Sequence, residues 1–353
     1  MEVKIITIHA MYNPGSVFQA YALQEYLKLE HDVKIIDYRP LYLYSEGSLL
    51  KLIAKKILWG KAYRNRNRKF IGFVEKRMNL TRKYKSFKQL KHAGLSADVF
   101  MTGSDQLWNT DYPCGKDEAF YLSFVKTGKK ISYSTSVGKK NIDQDNLNRL
   151  KDKLSDFSAI SVREKSTAEQ LSSVLNRNVS WVCDPVLLLP ASSYLQFISA
   201  KRPIDQKYAV VYLLGSSEGL DKVVNYYKSK GLFVVLAGGF TRRCNCDLHI
   251  KDVGPEDFLN LIYYAEIVIS SSFHATAFCH IFHKKFITFL PKANGERISS
   301  LLECSGLESH SVHSGELADL KKIDDCIDWN AVEKKLNVYI ENSKEFLKSE
   351  LRK

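Results

Sequence analysis

The sequence predicts an α/β protein made of two doubly wound halves that face a cleft, each a mostly parallel sheet flanked by helices. Three observations carry this expectation. Short apolar, β-branched runs alternate with amphipathic stretches at helical spacing along most of the chain. These runs end in polar, glycine-containing or charged loops, as parallel strands do where their carboxyl ends border a ligand crevice. The chain has 353 residues, enough for two domains of ordinary size.

In chain order, residues 3–8 read as a buried strand. The turn-rich loop 9–16 holds Asn13, Pro14, Gly15 and Ser16. Ser16 opens a helix to about residue 28, with Val17, Ala20, Tyr21, Leu23, Gln24 and Leu27 in register. A strand at 33–38 completes a β-α-β unit. Gly15 and Ser16 would put backbone N–H groups at a helix start, a favourable place for an anion. The full G-x-G-x-x-G pattern is missing, so no dinucleotide site is expected. Residues 49–91 read as a basic helical insertion. A strand at 98–102 runs into Gly103, Ser104, Asp105, Gln106, Leu107, Trp108 and Asn109, a polar grouping that reads as a site rather than a plain turn. Strand 130–134 ends at Ser134. Strand 159–162 ends at Arg163 and Glu164 before a helix to about 175, and residues 181–183 lead to Asp184 and Pro185.

Residues 188–206, with Pro190 and Pro203, read as a linker, which sets domains at 1–190 and 207–328 and leaves a charged C-terminal helix at 329–353. The second half has strands at 208–214, 232–236 and 285–290. Its helices are at 220–229, from Pro255, and at 296–304, the last stopped by Gly306. Between them lies the run 266–269, then Ser270, Ser271, Ser272 and Phe273, then His274 at a helix start. A histidine in that place can give or take a proton near neutral pH, or simply pack and cap. No solenoid repeat is visible.

Hydrophobic residues make up 45% and charged residues 26%, ordinary for a globular protein. No apolar run approaches the roughly 20 residues of a membrane helix. The N-terminus reads as a strand rather than a signal peptide, so a cytoplasmic location is expected. Seven scattered cysteines make no disulfide framework, and Cys183 and Cys279 read as core. Cys244, Cys246 and His249 are spaced unlike a structural zinc site, and no metal is expected. Between residues 51 and 85, thirteen Lys and Arg stand against one acid, Glu75, a local surplus of twelve beside a net charge of +13. Such a segment fits an anionic membrane surface, or is a solvated basic helix pair with no partner. No nucleic-acid-binding signature accompanies it, and no nucleic acid is expected.

The strand-end motifs, taken together and in this order, resemble the polysaccharide pyruvyl transferase family from the N-terminus to about residue 310. They are residues 6–23 with Asn13, Gly15, Ser16 and Gln19; residues 102–109; Ser132 and Ser134; Arg163 and Glu164; Asp184 and Pro185; and Ser272 to His274. The resemblance implies a GT-B-like fold of two Rossmann-like domains. It implies transfer of pyruvate from phosphoenolpyruvate to a sugar of a surface polysaccharide or of its lipid-linked precursor. Phosphoenolpyruvate would be a co-substrate, with no other cofactor and no metal. His274 matches the family's catalytic histidine and Arg163 an arginine used for the donor. A small, strongly anionic donor calls for a guanidinium and for N–H groups at helix starts, so Asn13, Gly15, Ser16, Ser272 and Arg297 join Arg163 as donor-side candidates. Asp105 is a candidate second base or hydroxyl acceptor, and Ser104, Gln106, Trp108, Asn109 and Ser134 are candidates for the acceptor cleft.

One departure stands out: better-known members carry arginine two residues before the histidine, where this chain has Ser272. Arg297, Lys284 and Lys285 are the cations available to replace it, Arg297 first because it opens a helix after a turn. The departure keeps two other readings open: a GT-B glycosyltransferase using a nucleotide sugar, and a non-catalytic member of the fold.

Overall fold

The computed structural model describes the whole chain except residues 44–48, 216, 242–243, 292–294, 313–319, 325 and 353; in helical segments 49–58 and 321–322 it describes the backbone only. The chain divides into two compact units, one of residues 1–53, 71–189 and 338–353, the other of residues 54–70 and 190–337.

The first unit contains β1 (Glu2–Ile6), α1 (Pro14–Leu27) and β2 (Asp32–Ile35), and shares α2 (Leu49–Arg77) with the second. It continues through α3 (Phe87–Lys91), β3 (Val99–Thr102), β4 (Lys129–Ser132), α4 (Gln144–Leu154), β5 (Ser161–Val162), α5 (Lys165–Leu175) and β6 (Ser180–Trp181). Strands β2-β1-β3-β4 form a parallel sheet in that order. The parallel pair β5-β6 extends it through isolated bridges from Ile131 to Ala159 and from Thr135 to Val162. The central strands are buried on both faces, which is why they read as continuous apolar runs rather than alternating ones. After β2 the chain returns past β1 to form β3 on the other side. That reversal is a topological switch point, where open parallel sheets bind ligands.

The second unit runs α6 (Ser192–Leu195), β7 (Tyr208–Tyr212), α7 (Leu220–Ser229), β8 (Phe233–Ala237), β9 (Leu248–Ile250), α8 (Pro255–Tyr264), β10 (Ile267–Ser270), α9 (Phe273–Ile281), β11 (Phe286–Phe289), α10 (Glu296–Ser305), β12 (Ser311–Val312) and α11 (Leu320–Asp324). Its sheet is parallel, in the order β12-β11-β10-β7-β8-β9, so its switch point lies between β7 and β10. The last helix, α12 (Trp329–Arg352), belongs to the second unit as far as residue 337 and to the first from residue 338.

Three expected boundaries change. Residues 188–206 are not a free linker: from Pro190 the chain is part of the second unit, with Tyr194 fully buried and its ring 5.0 Å from that of Phe278. The basic stretch is not an insertion of the first half alone. It holds one long helix, α2, kinked at Trp59 where φ is −132°, and residues 54–70 pack with the second unit. There Trp59 stacks on Phe240 at 5.3 Å, and Lys69 pairs with Asp257 at 2.8 Å. The C-terminal helix is likewise divided, its later part held to the first unit by contacts such as the Trp181–Tyr339 ring pair at 4.7 Å. No described helix is long and apolar enough to cross a membrane.

Candidate functional site

In the first unit the loops after β1, β3 and β4 meet at the switch point. Asn13 caps α1, its side chain accepting from Gly15 N at 3.0 Å, and Pro14 fits the first turn because it has no N–H to satisfy. The Ser16 hydroxyl donates to Asp105 Oδ2 at 2.5 Å. The expected anion cradle at Gly15 and Ser16 is therefore engaged by the protein's own groups. The Gly15 N–H goes to Asn13, and a carboxylate occupies the positive end of the helix. Asp105 holds this place with a left-handed backbone at φ 85°, and Ser134 on the next loop is also left-handed at φ 55°. Two such residues in one loop cluster store backbone strain, which concentrates at functional sites.

Beneath that layer lies a buried polar network. Arg163, 2% exposed after β5, pairs through Nη1 with Asp184 Oδ2 and lies 3.4 Å from Ser104 Oγ. Ser104 Oγ donates to Asp184 Oδ2 at 3.1 Å and lies 3.4 Å from Ser134 Oγ. Burial works against the guanidinium's charge, but Asp184, then Asp105 and Glu164, outweigh it and raise its pKa further. The structure thus places Arg163 in an interior ion pair. Ser104 and Ser134 are its fully buried neighbours.

Trp108 is also interior. It is fully buried, donates through Nε1 to the Phe120 carbonyl at 3.1 Å and stacks on Tyr121, so it offers no face to a sugar. Asn109 is fully buried and donates to Gln106 Oε1 at 2.7 Å. Gly138, at φ 76°, closes over this pair: a Cβ there would sit 2.4 Å from Gln106 Oε1. Of the five acceptor-side candidates, only Gln106 is partly exposed.

Two features have no role in the sequence reading, Glu164 although it stands in a strand-end motif. His9, just after β1, faces Asp37 Oδ1 with Nε2 at 3.0 Å and the Thr7 carbonyl with Nδ1 at 3.2 Å, while Arg39 donates to the same Asp37 oxygen. Burial pushes the Asp37 carboxyl up, but hydrogen bonds from His9 and Arg39 prevail and hold it below its ordinary range. A histidine and an aspartate ending two adjacent strands were the available signal. Glu164, fully buried before α5, accepts from Ser136 Oγ through Oε1. Its Oε2 and the Thr167 hydroxyl have no hydrogen-bond partner among the described residues.

In the second unit the three serines build the turn. Ser270 Oγ donates to the Tyr212 carbonyl at 2.6 Å and accepts from Ser272 N at 3.0 Å, Ser271 Oγ accepts from Leu214 N at 3.1 Å, and Ser272 caps α9 by accepting from Ala275 N at 3.4 Å. His274 then stands in the first turn of α9 at the switch point, 4% exposed, with its ring edge-on to Phe273 at 5.2 Å. Ser272 therefore works as a helix cap, and it brings no charge to the place where the resemblance sets an arginine.

Of the cations expected to replace that charge, Lys284 and Lys285 are excluded by the register. Val268 pairs with Phe286 and Ser270 with Thr288, so both lysines precede β11 at the opposite end of the sheet. Arg297 is half-buried in the first turn of α10, beyond the carboxyl end of β11. Cys244 and Cys246 pack in the core, and His249 Nε2 faces the Gly238 and Gly239 carbonyls at 3.1 and 3.2 Å. Among the described residues no three His, Cys, Asp or Glu side chains converge as a metal set.

Solved structures similar to this chain include UDP-N-acetylglucosamine 2-epimerase from Rickettsia bellii, 10% identical, with a TM-score of 0.57 over 100% of this chain and 96% of that one. Another is UDP-GlcNAc 2-epimerase from Neisseria meningitidis bound to UDP-GlcNAc, 9% identical, with a TM-score of 0.51 over 100% of both chains. At these identities the likeness concerns the fold, and it agrees with the GT-B-like α/β class read from the sequence. No curated protein matches the chain by sequence. The model of the family described as polysaccharide pyruvyl transferase matches residues 13–292, most of the chain, and with the ordered strand-end motifs and the serine–histidine turn it shows that this protein belongs to the polysaccharide pyruvyl transferase family.

Proposed function

We propose that the protein transfers a pyruvyl group from phosphoenolpyruvate to a sugar of a surface polysaccharide or its lipid-linked precursor. In that reaction the methylene carbon of the donor takes a proton and becomes a methyl group. Two sugar hydroxyl oxygens form bonds to the adjacent carbon, and the bond from that carbon to the phosphate oxygen breaks. One hydroxyl proton balances the new methyl group and the other leaves with phosphate. The observation that carries this reading is His274, held at the start of α9 by a fully used serine turn, in a chain of this family. A histidine so placed supplies the proton to the methylene carbon or takes one from a hydroxyl, a contribution of about 10²–10⁴ in rate. Arg297 is the cation that serves the donor at the same edge of the sheet, and Arg163 supports the loops from within.

The test is phosphate release from phosphoenolpyruvate with glycan acceptors, comparing the unmodified protein with His274→Ala. A drop of about a hundredfold or more with folding intact is expected. Unchanged release would remove His274 from the chemistry. No release with any acceptor favours the second reading, transfer from a nucleotide sugar, which Ser272 in place of arginine keeps open; release of nucleotide would then be the signal. The same proposal puts the protein in the cytoplasm, with the basic segment 51–85 against an anionic membrane surface close to a lipid-linked acceptor.

A further inference from the structure

At the amino edge of the second unit's sheet, away from the serine turn, lies a cavity of 790 Å³. It opens where β7, β8, β10 and β11 begin, and Lys207, Lys230, Glu266, Lys284 and Lys285 mark those starts. With Arg202, five cations line it against two acids, Glu266 and Asp324. Asp324 is already satisfied. Its carboxylate takes Lys230 and the hydroxyls of Tyr226 at 2.6 Å and Tyr227 at 3.1 Å, and its carbonyl takes Lys285 Nζ at 2.6 Å. Lys284 is different. Its ammonium lies over the Tyr263 ring at 5.5 Å and has no hydrogen bond or ion pair among the described residues. Burial lowers its pKa, and Glu266 opposes that without reversing it. Lys207 is exposed, and its ammonium likewise has no hydrogen bond or ion pair among the described residues. Arg202 donates to the Tyr264 carbonyl at 3.4 Å and lies over the Tyr264 ring at 5.8 Å.

We propose that this cavity is a second ligand site, which binds a small soluble organic anion carrying a phosphate group. The volume falls in the range of small-molecule pockets. Lys284 is a half-buried cation whose charge Glu266 compensates only in part, and a ligand that brings further negative charge relieves it. A phosphate group offers several acceptor oxygens to Lys207, Lys284 and Arg202 together, and the Tyr263 and Tyr264 rings wall the organic part. The site is separate from the transfer chemistry, because His274 begins α9 whereas Phe282 and Lys284 lie just past its end.

The experiment is calorimetric titration with inorganic pyrophosphate. Binding is expected in the unmodified protein, weakening as salt rises. It should persist in His274→Ala and weaken about tenfold or more in Lys284→Met and in Lys207→Ala. Lys207 is exposed, so its variant tests the site even if Lys284→Met folds poorly. No binding, binding lost in His274→Ala, or binding unchanged in both lysine variants would each overturn the proposal. The donor reading is not touched by any of these outcomes, since it is scored by phosphate release.

Discussion

Arg163 and Asp184 show how much one buried pair can decide. Both are at most 2% exposed, and Ser104 shares their network. Removing one partner leaves the other charged, buried and uncompensated, which costs about 3–5 kcal/mol. Arg163→Met and Asp184→Asn should each lower the unfolding free energy, read from denaturant titration, by that order. The double variant Arg163→Met with Asp184→Leu should recover part of the loss, since it removes both members of the pair, while Asp105 and Glu164 still lose the guanidinium. If Arg163→Met instead weakens donor binding while stability stays intact, the interior role assigned here is wrong. A second residue sets the response to acid. His280 lies on α9 with Nδ1 2.8 Å from the Thr276 carbonyl and Nε2 3.0 Å from Ser305 Oγ, and burial pushes its pKa down to about 4. Between that value and the ordinary histidine range near 6.5, the unfolded chain binds the proton that the folded one refuses. Stability is therefore complete above about pH 6.5 and falls as pH drops towards 4, by up to about 3 kcal/mol from this group. His310, also lowered by burial, acts in the same direction. Unfolding measured from pH 7 to 4 should show the slope, and His280→Gln should flatten part of it; an equal slope in that variant would clear His280.

At the scale of the element, α9 depends on its cap. Ser272→Ala removes the acceptor for Ala275 N and should cost about 1 kcal/mol, whereas Ser272→Asp should cost little. Ser272→Arg, which installs the arginine that the resemblance sets there, loses the cap and adds a positive charge at the positive end of the helix, so it should be the least stable of the three. Equal stability of Ser272→Ala and the unmodified protein would show that the cap does not matter. The elements were largely legible because each leaves a local mark. Val3, Ile5 and Ile6 mark a strand covered on both faces, Pro255 a first turn, and Gly306 with φ 72° a helix end. Short edge strands such as Leu248–Ile250 and Ser311–Val312 leave none, because their pairing partners lie elsewhere in the chain. The site was legible only in part for a related reason. Ser104, Asp105, Trp108 and Asn109 announce a strand-end polar cluster, but the same residues are needed whether their hydrogen bonds go to a ligand or to one another. Here most go inward: Trp108 to Phe120, Asn109 to Gln106, and Ser104 to Asp184. His9 and Asp37, 28 residues apart, meet only because β1 and β2 are neighbours.

For the molecule as a whole, charge is the property that composition alone brings out, and the structure sharpens what that charge can do. Nearly all of the +13 surplus comes from residues 51–85, yet its cations are not equivalent. Lys69 is spent on Asp257 and Asp252, and Arg66 covers the Phe240 ring at 4.7 Å. Lys61, Arg64 and Arg68 are exposed, and at spacings of three and four they share one face of α2. Each such charge close to an anionic surface contributes about 1 kcal/mol. Replacing all three with alanine should then weaken sedimentation with phosphatidylserine-containing vesicles by roughly a hundredfold. Lys69→Ala should have far less effect on binding, because its charge is already neutralised within the protein. Raising the salt should release the unmodified protein, as screening shortens the reach of these charges to a few ångströms. Binding that ignores salt and the triple substitution would mean that the basic face serves solubility rather than a membrane, and the acceptor would then have to meet the protein away from the bilayer.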